Sequence, residues 1–333
     1  MDLPLMAAKA YKYKAELLVK DYLLADSYVP YASVLGGILM CKLAYDFTRF
    51  ISSFYFKHYA SLSKVQKIEW NNRGMSTGHA IFITVMSSYL VFFSGLFSDQ
   101  QDAPVTFRSS SLSNFTLGVS VGYFITDLAM ILWLYPSLGG MEYVVHHILS
   151  LISVMYAMLS EEGQLYTYMS LISETTTPGI NLRWFLDVAG MKRSKAYLFN
   201  GVAMFVTWLV ARIILFMYLF YQIFLHYDQI KQMDTFGHLL VSVAPAILFV
   251  MNMIWLSKIL RAHCTLPKES FYYAVAAPKN SVVVKCLLFK RMDGNVGAGA
   301  ILGSFQMQNV EVVSLQDYSI SASVTLGEPH TGE

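Results

Sequence analysis

The sequence predicts an all-α protein, a polytopic transmembrane helical bundle of about seven spans, and three observations carry that expectation. Only 14% of its 333 residues are charged, against about 25% in a soluble domain, too few to coat a water-facing surface. Hydrophobic residues make up 55% and aromatics 15%, with 22 Tyr and 22 Phe, as aromatic belts at two membrane interfaces require. Apolar stretches long enough to cross a bilayer, which takes about 20 residues, recur along the chain. The formal net charge of +2 argues against a nucleic-acid partner. Cys41, Cys264 and Cys286 are too few and too scattered for a disulfide framework or a zinc site.

The first 29 residues mix Lys9, Lys12, Lys14 and Lys20 with Glu16, Asp21 and Asp26 around no sustained apolar core, so no signal peptide is read there. Candidate spans follow near 31–54, 76–97, 114–135, 141–160, 164–186, 196–226 and 236–260. The fifth holds Glu174, three successive threonines and Pro178. It reads as a broken helix or a re-entrant segment, tolerable where protein covers its polar side. Beyond about residue 270 short apolar runs, a glycine-rich patch and Ser314, Ser319, Ser321 and Ser323 read as a tail, largely disordered. The expected organisation is an N-terminal segment with the first helix over 1–61, a transmembrane domain over 62–265 and a cytosolic tail over 266–333.

Basic residues in short loops set the expected orientation. Lys57, Lys64, Lys67 and Arg73 follow span one, Lys192, Arg193 and Lys195 follow span five, and Arg261 and Lys268 follow span seven. The alternate loops hold only Arg108 and Lys231. Seven spans with a cytosolic C-terminus satisfy this alternation, although the N-terminal lysines oppose it.

Ionisable side chains inside spans cost about 2.5–3.5 kcal/mol each on insertion scales and usually face the bundle interior. This chain has His79 at the start of span two, Asp127 in span three, and adjacent His146 and His147 in span four. Glu174, Asn181 and Arg183 fall in span five, Arg212 in span six and Asn252 in span seven. Two polar stripes run at helical spacing: His146, Ser150 and Ser153 in one span, and Ser170, Ser173, Glu174, Thr177 and Asn181 in the next. Facing each other, they would bound a polar cavity. At about 1.5 Å of rise per residue the histidine pair lies roughly 8–9 Å, and Asp127 about 13 Å, from the cytosolic end. Each residue also has a plainer reading. Arg183 beside Trp184 fits a headgroup anchor, His79 an interfacial histidine, Arg212 a structural counter-ion for Glu174 or Asp127, and Asn252 an interhelical hydrogen-bond partner. Two neighbouring imidazoles differ by about 100° in direction, so both reach one cavity only if it is wide; otherwise one supports the other. No metal is expected, since His79, His146 and His147 lack a ligand spacing.

The run Lys67-Ile68-Glu69-Trp70-Asn71-Asn72-Arg73, then Gly122-Tyr123-Phe124-Ile125-Thr126-Asp127-Leu128, then His146-His147, recur in that order ahead of Glu174 and Pro178-Gly179-Ile180-Asn181-Leu182-Arg183-Trp184-Phe185, with Asn252-Met253-Ile254-Trp255 in the last span. Over about residues 62–265 the chain resembles the TLC-domain family of endomembrane lipid proteins, which includes the ceramide synthases, and most resembles its members outside the synthase branch. The resemblance implies a six-span TLC domain preceded by one extra helix. It also implies residence in the endoplasmic reticulum or a neighbouring secretory membrane. In the synthases paired histidines serve acyl transfer from acyl-CoA to a sphingoid amine, which here would give His146 or His147 the part of base or nucleophile and Asp127 that of orienting carboxylate. This chain departs from them where a second His-Asp pair and a later Asp stand, holding Ser173, Glu174 and Thr177.

Two functions follow. One is a lipid-binding or lipid-regulating protein in membrane lipid homeostasis, with a cavity lined by His79, Ser150, Ser173, Thr177, Asn181, Arg183, Arg212 and Asn252. The other is an acyltransferase using His146, His147, Asp127 and Glu174 on acyl-CoA as substrate. The altered synthase positions favour the first. A transporter ranks last, since no internal repeat is seen. Membrane lipids are the expected partners, no cofactor is expected, and self-association is left open.

Overall fold

The structure is a computed structural model in which residues 28–98 and 103–264 are described; the N-terminal lysines and the tail of 266–333 lie outside them. Every regular element among the described residues is helical, as a lipid environment demands of backbone groups that water cannot satisfy.

Helix α1 (Val29–Tyr55) carries Pro30 in its first turn, where a missing N–H has no intrahelical partner to lose. A short α2 (Lys57–Ser61) leads to α3 (Lys64–Phe92), whose start is fixed by Ser63 and Gln66 capping each other reciprocally. Helix α4 (Ser111–Trp133) starts on the same device, made by Ser110 and Ser113. Helix α5 (Met141–Ser160) stops at Glu161, whose backbone is left-handed at φ 63°. Then come α6 (Gln164–Leu171), a 3-10 segment (Ile172–Thr176) and α7 (Thr177–Val188). Helix α8 (Lys195–Trp208), a π-helical segment (Leu209–Ile214) and α9 (Leu215–Leu225) make one continuous rod of 31 residues. A single turn, α10 (Tyr227–Ile230), precedes α11 (Thr235–Cys264).

All seven expected spans are helical, and among the described residues five rods (α3, α4, α5, α8–α9 and α11) are long and apolar enough to cross a membrane. The other two differ for visible reasons. Helix α1 has 27 residues, ample length at about 1.5 Å each, but Lys42, Asp46 and Arg49 interrupt its apolar run. Its outer face still presents exposed Leu35, Leu39, Leu43, Phe47, Phe50 and Phe54 at steps of three and four. Such an uncovered apolar stripe is the kind of surface that lipid covers. The fifth stretch is broken, as its threonines and Pro178 predict. Pro178 has no N–H to give the carbonyl of Glu174, and the Thr177 amide bonds that carbonyl in a tighter 3-10 turn. Helix α3 begins well before the expected residue 76, because its early residues have a partner: Trp70 packs on Phe185 at 4.5 Å and Trp184 at 6.0 Å between ring centroids.

Helix α4 is the central post, 61% buried over its apolar window against 28–33% for the other four rods. Glycines let α1 approach it closely. A Cβ at Gly37 would lie 2.3 Å from the Val119 carbonyl oxygen, and one at Gly122 would lie 2.4 Å from that of Val34. Small residues of this kind bring helix backbones together in a medium where hydrophobic burial gives no helix-to-helix drive. Cys41, Met75, Ile83, Leu117, Phe124 and Val154 fill the core around this seam.

Candidate functional site

The polar stripe of α5 and the polar residues of α6 and its 3-10 continuation meet at one cleft. His146, Ser150 and Ser153 line it from α5, and Thr167, Ser170, Ser173 and Glu174 from the facing segment. Leu240, Val241, Ala244 and Leu248 of α11 supply an apolar lining. The cavity volume of the cleft is about 60 Å³.

The adjacent histidines part company, as their separation around the helix requires. His146 turns to the cleft, with Nδ1 buried and unpartnered and its ring edge-on to Trp255 at 5.5 Å. His147 turns to α4, placing Nε2 2.7 Å from Asp127 Oδ2 and Nδ1 2.9 Å from the Tyr143 carbonyl oxygen. A carbonyl only accepts, so Nδ1 donates; Nε2 meets the carboxyl oxygen with one proton between them. Neither ring nitrogen of His147 is therefore open to a substrate in this arrangement.

Behind this pair lies more buried polarity. The Tyr123 hydroxyl donates to Asp127 Oδ2 at 3.4 Å, and the Tyr123 ring stacks on His79 at 3.8 Å. His79 Nε2 lies 3.2 Å from Ser120 Oγ. His79, Tyr123, Asp127 and His147 thus form a chain beside the cleft. Phe124 touches both imidazoles edge-on at 5.9 Å and itself lines the cleft. Tyr123 carries a readable signal, since it stands one helical turn before Asp127 on the same face.

Other residues singled out in the sequence separate into three places. Thr177 donates to Glu174 Oε2 at 2.7 Å, and Glu174 Oε1 is 3.8 Å from Arg212. Arg212, inside the π-helical segment, donates through Nε to Thr176 Oγ1 at 2.9 Å and through one terminal nitrogen to Asn252 Oδ1 at 3.0 Å. Asn181 points instead to α3, donating to the Arg73 carbonyl and to Ser76 and Thr77. Arg183 stacks over Tyr197, 4.2 Å from guanidinium carbon to ring centroid, away from the cleft lining. Trp208, whose ring lies 4.7 Å under the Arg212 guanidinium, and the α11 wall were not visible from sequence, because a residue in a uniformly apolar run carries no facing signal.

A bundle of long apolar helices with ionisable groups sealed inside defines a polytopic integral membrane protein. The TLC domain model matches residues 69–261, more than half of the chain, and the chain belongs to the TLC domain family. It is similar to TLC domain-containing protein 4 of Homo sapiens, 30% identical over 209 residues that cover 60% of this chain and 75% of the relative. TLC domain-containing protein 4-B of Xenopus laevis is 28% identical over 203 residues, covering 60% and 75%. TLC domain-containing protein 4 C of Dictyostelium discoideum is 29% identical over 233 residues, covering 67% and 81%.

Proposed function

We propose that this chain acts in membrane lipid homeostasis by binding or regulating a lipid in the cleft between α5, α6 and α11. The observation that carries the reading is the make-up of the lining, with hydroxyls, His146 and Glu174 set among Val154, Ala157 and Leu171 on two segments and apolar side chains alone on α11. An amphiphile combines the same two kinds of surface, and ligand sites pair an apolar lining with a few placed polar groups. The family supports residence in the endoplasmic reticulum or a neighbouring secretory membrane.

A second reading, acyl transfer from acyl-CoA, rests on the unpartnered Nδ1 of His146 in the cleft. Against it stand the doubly engaged His147 and the serine at position 173, which cannot serve as an imidazole base. Purified wild type and Ala244→Trp, which fills the cleft, would be compared by mass spectrometry of retained lipids, with an acyl-CoA consumption assay on wild type and His146→Ala. The expected result is one lipid class retained by wild type, depleted by Ala244→Trp, with no acyl-CoA consumed. Equal lipid content in both proteins would sink the binding reading. Consumption lost in a folded His146→Ala variant would replace it with acyl transfer.

A further inference from the structure

Behind Glu174, which lines the cleft, two buried hydrogen-bond donors stand without acceptors beside one buried guanidinium. Arg212 spends Nε on Thr176 and one terminal nitrogen on Asn252 Oδ1. Its other terminal nitrogen lies 3.8 Å from Glu174 Oε1, outside hydrogen-bond range. Asn252, fixed to Arg212 through its oxygen, leaves Nδ2 buried and unpartnered. Trp208, under the guanidinium at 4.7 Å, leaves its Nε1 buried and unpartnered. Arg212, Trp208 and Asn252 are 4%, 3% and 2% exposed, so bulk water does not complete them. Buried polar groups are otherwise paired as a rule.

The chemistry of what is missing can be read from the excess. Both unpartnered atoms are donors, as is the guanidinium beside them, so the group that would satisfy them is an acceptor. Arg212 and Glu174 are opposite charges in near contact, so a second anion would face the Glu174 carboxylate as well as the guanidinium. A neutral oxygen with two lone pairs avoids that repulsion, and an ester or amide carbonyl is such an oxygen. The π-helical segment that bears Arg212 is a local distortion of a kind frequent at functional sites. Glu174 and His146, which line the cleft, connect it to this cluster: Glu174 by its approach to Arg212, and His146 through Trp255, whose ring lies 6.3 Å from that of Trp208.

We infer that Arg212, Trp208 and Asn252 form a carbonyl-binding site that takes the ester or amide oxygen of an acylated lipid in the cleft. This deepens the lipid-binding reading and rests on it: the cleft would select acyl-linked lipids over alkyl-linked ones.

The test compares a dioleoyl glycerolipid with its dialkyl-ether analogue, identical but for the carbonyl oxygens, titrated into the purified full chain and read by native mass spectrometry. Trp208→Phe removes the indole N–H and keeps an aromatic ring in place; Asn252→Leu removes the amide. Wild type should bind the ester about ten-fold more tightly than the ether, the worth of one or two buried hydrogen bonds. Trp208→Phe should cut ester binding several-fold and leave ether binding unchanged, with Asn252→Leu as the second variant. Equal affinity for ester and ether, both displaced by Ala244→Trp, overturns the carbonyl site and leaves the lipid-binding reading standing. Absence of saturable binding by either lipid overturns both. Loss of ester and ether binding together in a folded Trp208→Phe protein also overturns the inference, since the indole would then support the cleft rather than the carbonyl.

Discussion

Asn181 and Arg73, distant in sequence, hold each other twice: Asn181 Nδ2 donates to the Arg73 carbonyl at 3.0 Å, and an Arg73 terminal nitrogen donates to Asn181 Oδ1 at 3.2 Å. The rest of the guanidinium is spent on Glu69 Oε1 at 2.7 and 3.0 Å and on the face of Trp184 at 4.7 Å. This knot ties α7 to α3 just beyond the broken stretch. Asn181→Leu should remove the tie and strand the groups it satisfied, at about 1–3 kcal/mol. A melting temperature in detergent equal to that of wild type would show that the knot is ornamental.

The Asp127–His147 contact predicts non-additive energetics. Each group is almost fully enclosed, with side chains 6% and 10% exposed. Removing one partner of a buried pair leaves the other uncompensated, at about 3–5 kcal/mol, whereas replacing both with apolar residues is often close to neutral. Asp127→Leu and His147→Phe should each destabilise strongly, and the double variant should recover much of the loss. Thermal unfolding of the four proteins in one detergent measures the coupling; additive losses would mean that the two side chains do not act as a pair.

What could be read from sequence divides along a physical line. The break in the fifth stretch was legible because Pro178 acts on its own helix, four residues away at most. The α5 stripe was legible for the same reason, since His146, Ser150 and Ser153 repeat at the helix period. A histidine oriented by Asp127 was expected, but which of the pair it would be depends on how α5 is rotated against α4, a tertiary quantity. Arg212 could be suspected of serving either Glu174 or Asp127; only the packing of the π-helical segment sets it 3.8 Å from Glu174. The start of α3 was misplaced because apolarity marks where lipid begins, whereas the helix begins where Ser63 caps it.

Close packing of α1 on α4 predicts intolerance at Gly122. Any Cβ there meets three backbone atoms of α1, at 2.4 Å from the Val34 oxygen, 2.8 Å from the Ile38 nitrogen and 2.9 Å from the Gly37 Cα. Backbone cannot rotate away as a flexible side chain can, so Gly122→Val should force α1 off its seat. The cost of such overpacking is about 1–3 kcal/mol or more. Limited proteolysis in the α1–α3 connection should become faster in the variant, while Gly36→Val, where no atom lies within 4 Å of the new Cβ, should be indistinguishable from wild type.

Asp234 gives a prediction with a pH sign. Its carboxylate accepts the Gly237 amide at 2.8 Å at the start of α11 and the Tyr156 hydroxyl at 2.8 Å. Those two donors, the amide first, hold its pKa below the usual carboxylate value. A carboxylate depressed in the folded state adds stability that is complete above its unfolded pKa of about 3.9 and is lost as pH falls through the lower folded value. Asp234→Asn keeps a side-chain acceptor for the amide but cannot titrate. The melting temperature of wild type should therefore exceed that of Asp234→Asn at pH 6–7 (about two to three units above the unfolded pKa), and the gap should close below pH of about 4. Glu162 lies on the other side of the same hydroxyl, with Oε2 2.7 Å from Tyr156 Oη, so the comparison is repeated in a Glu162→Gln background. A gap that stays constant through the acid range in both backgrounds would mean that the Asp234 carboxylate is not what fastens α11 to Tyr156.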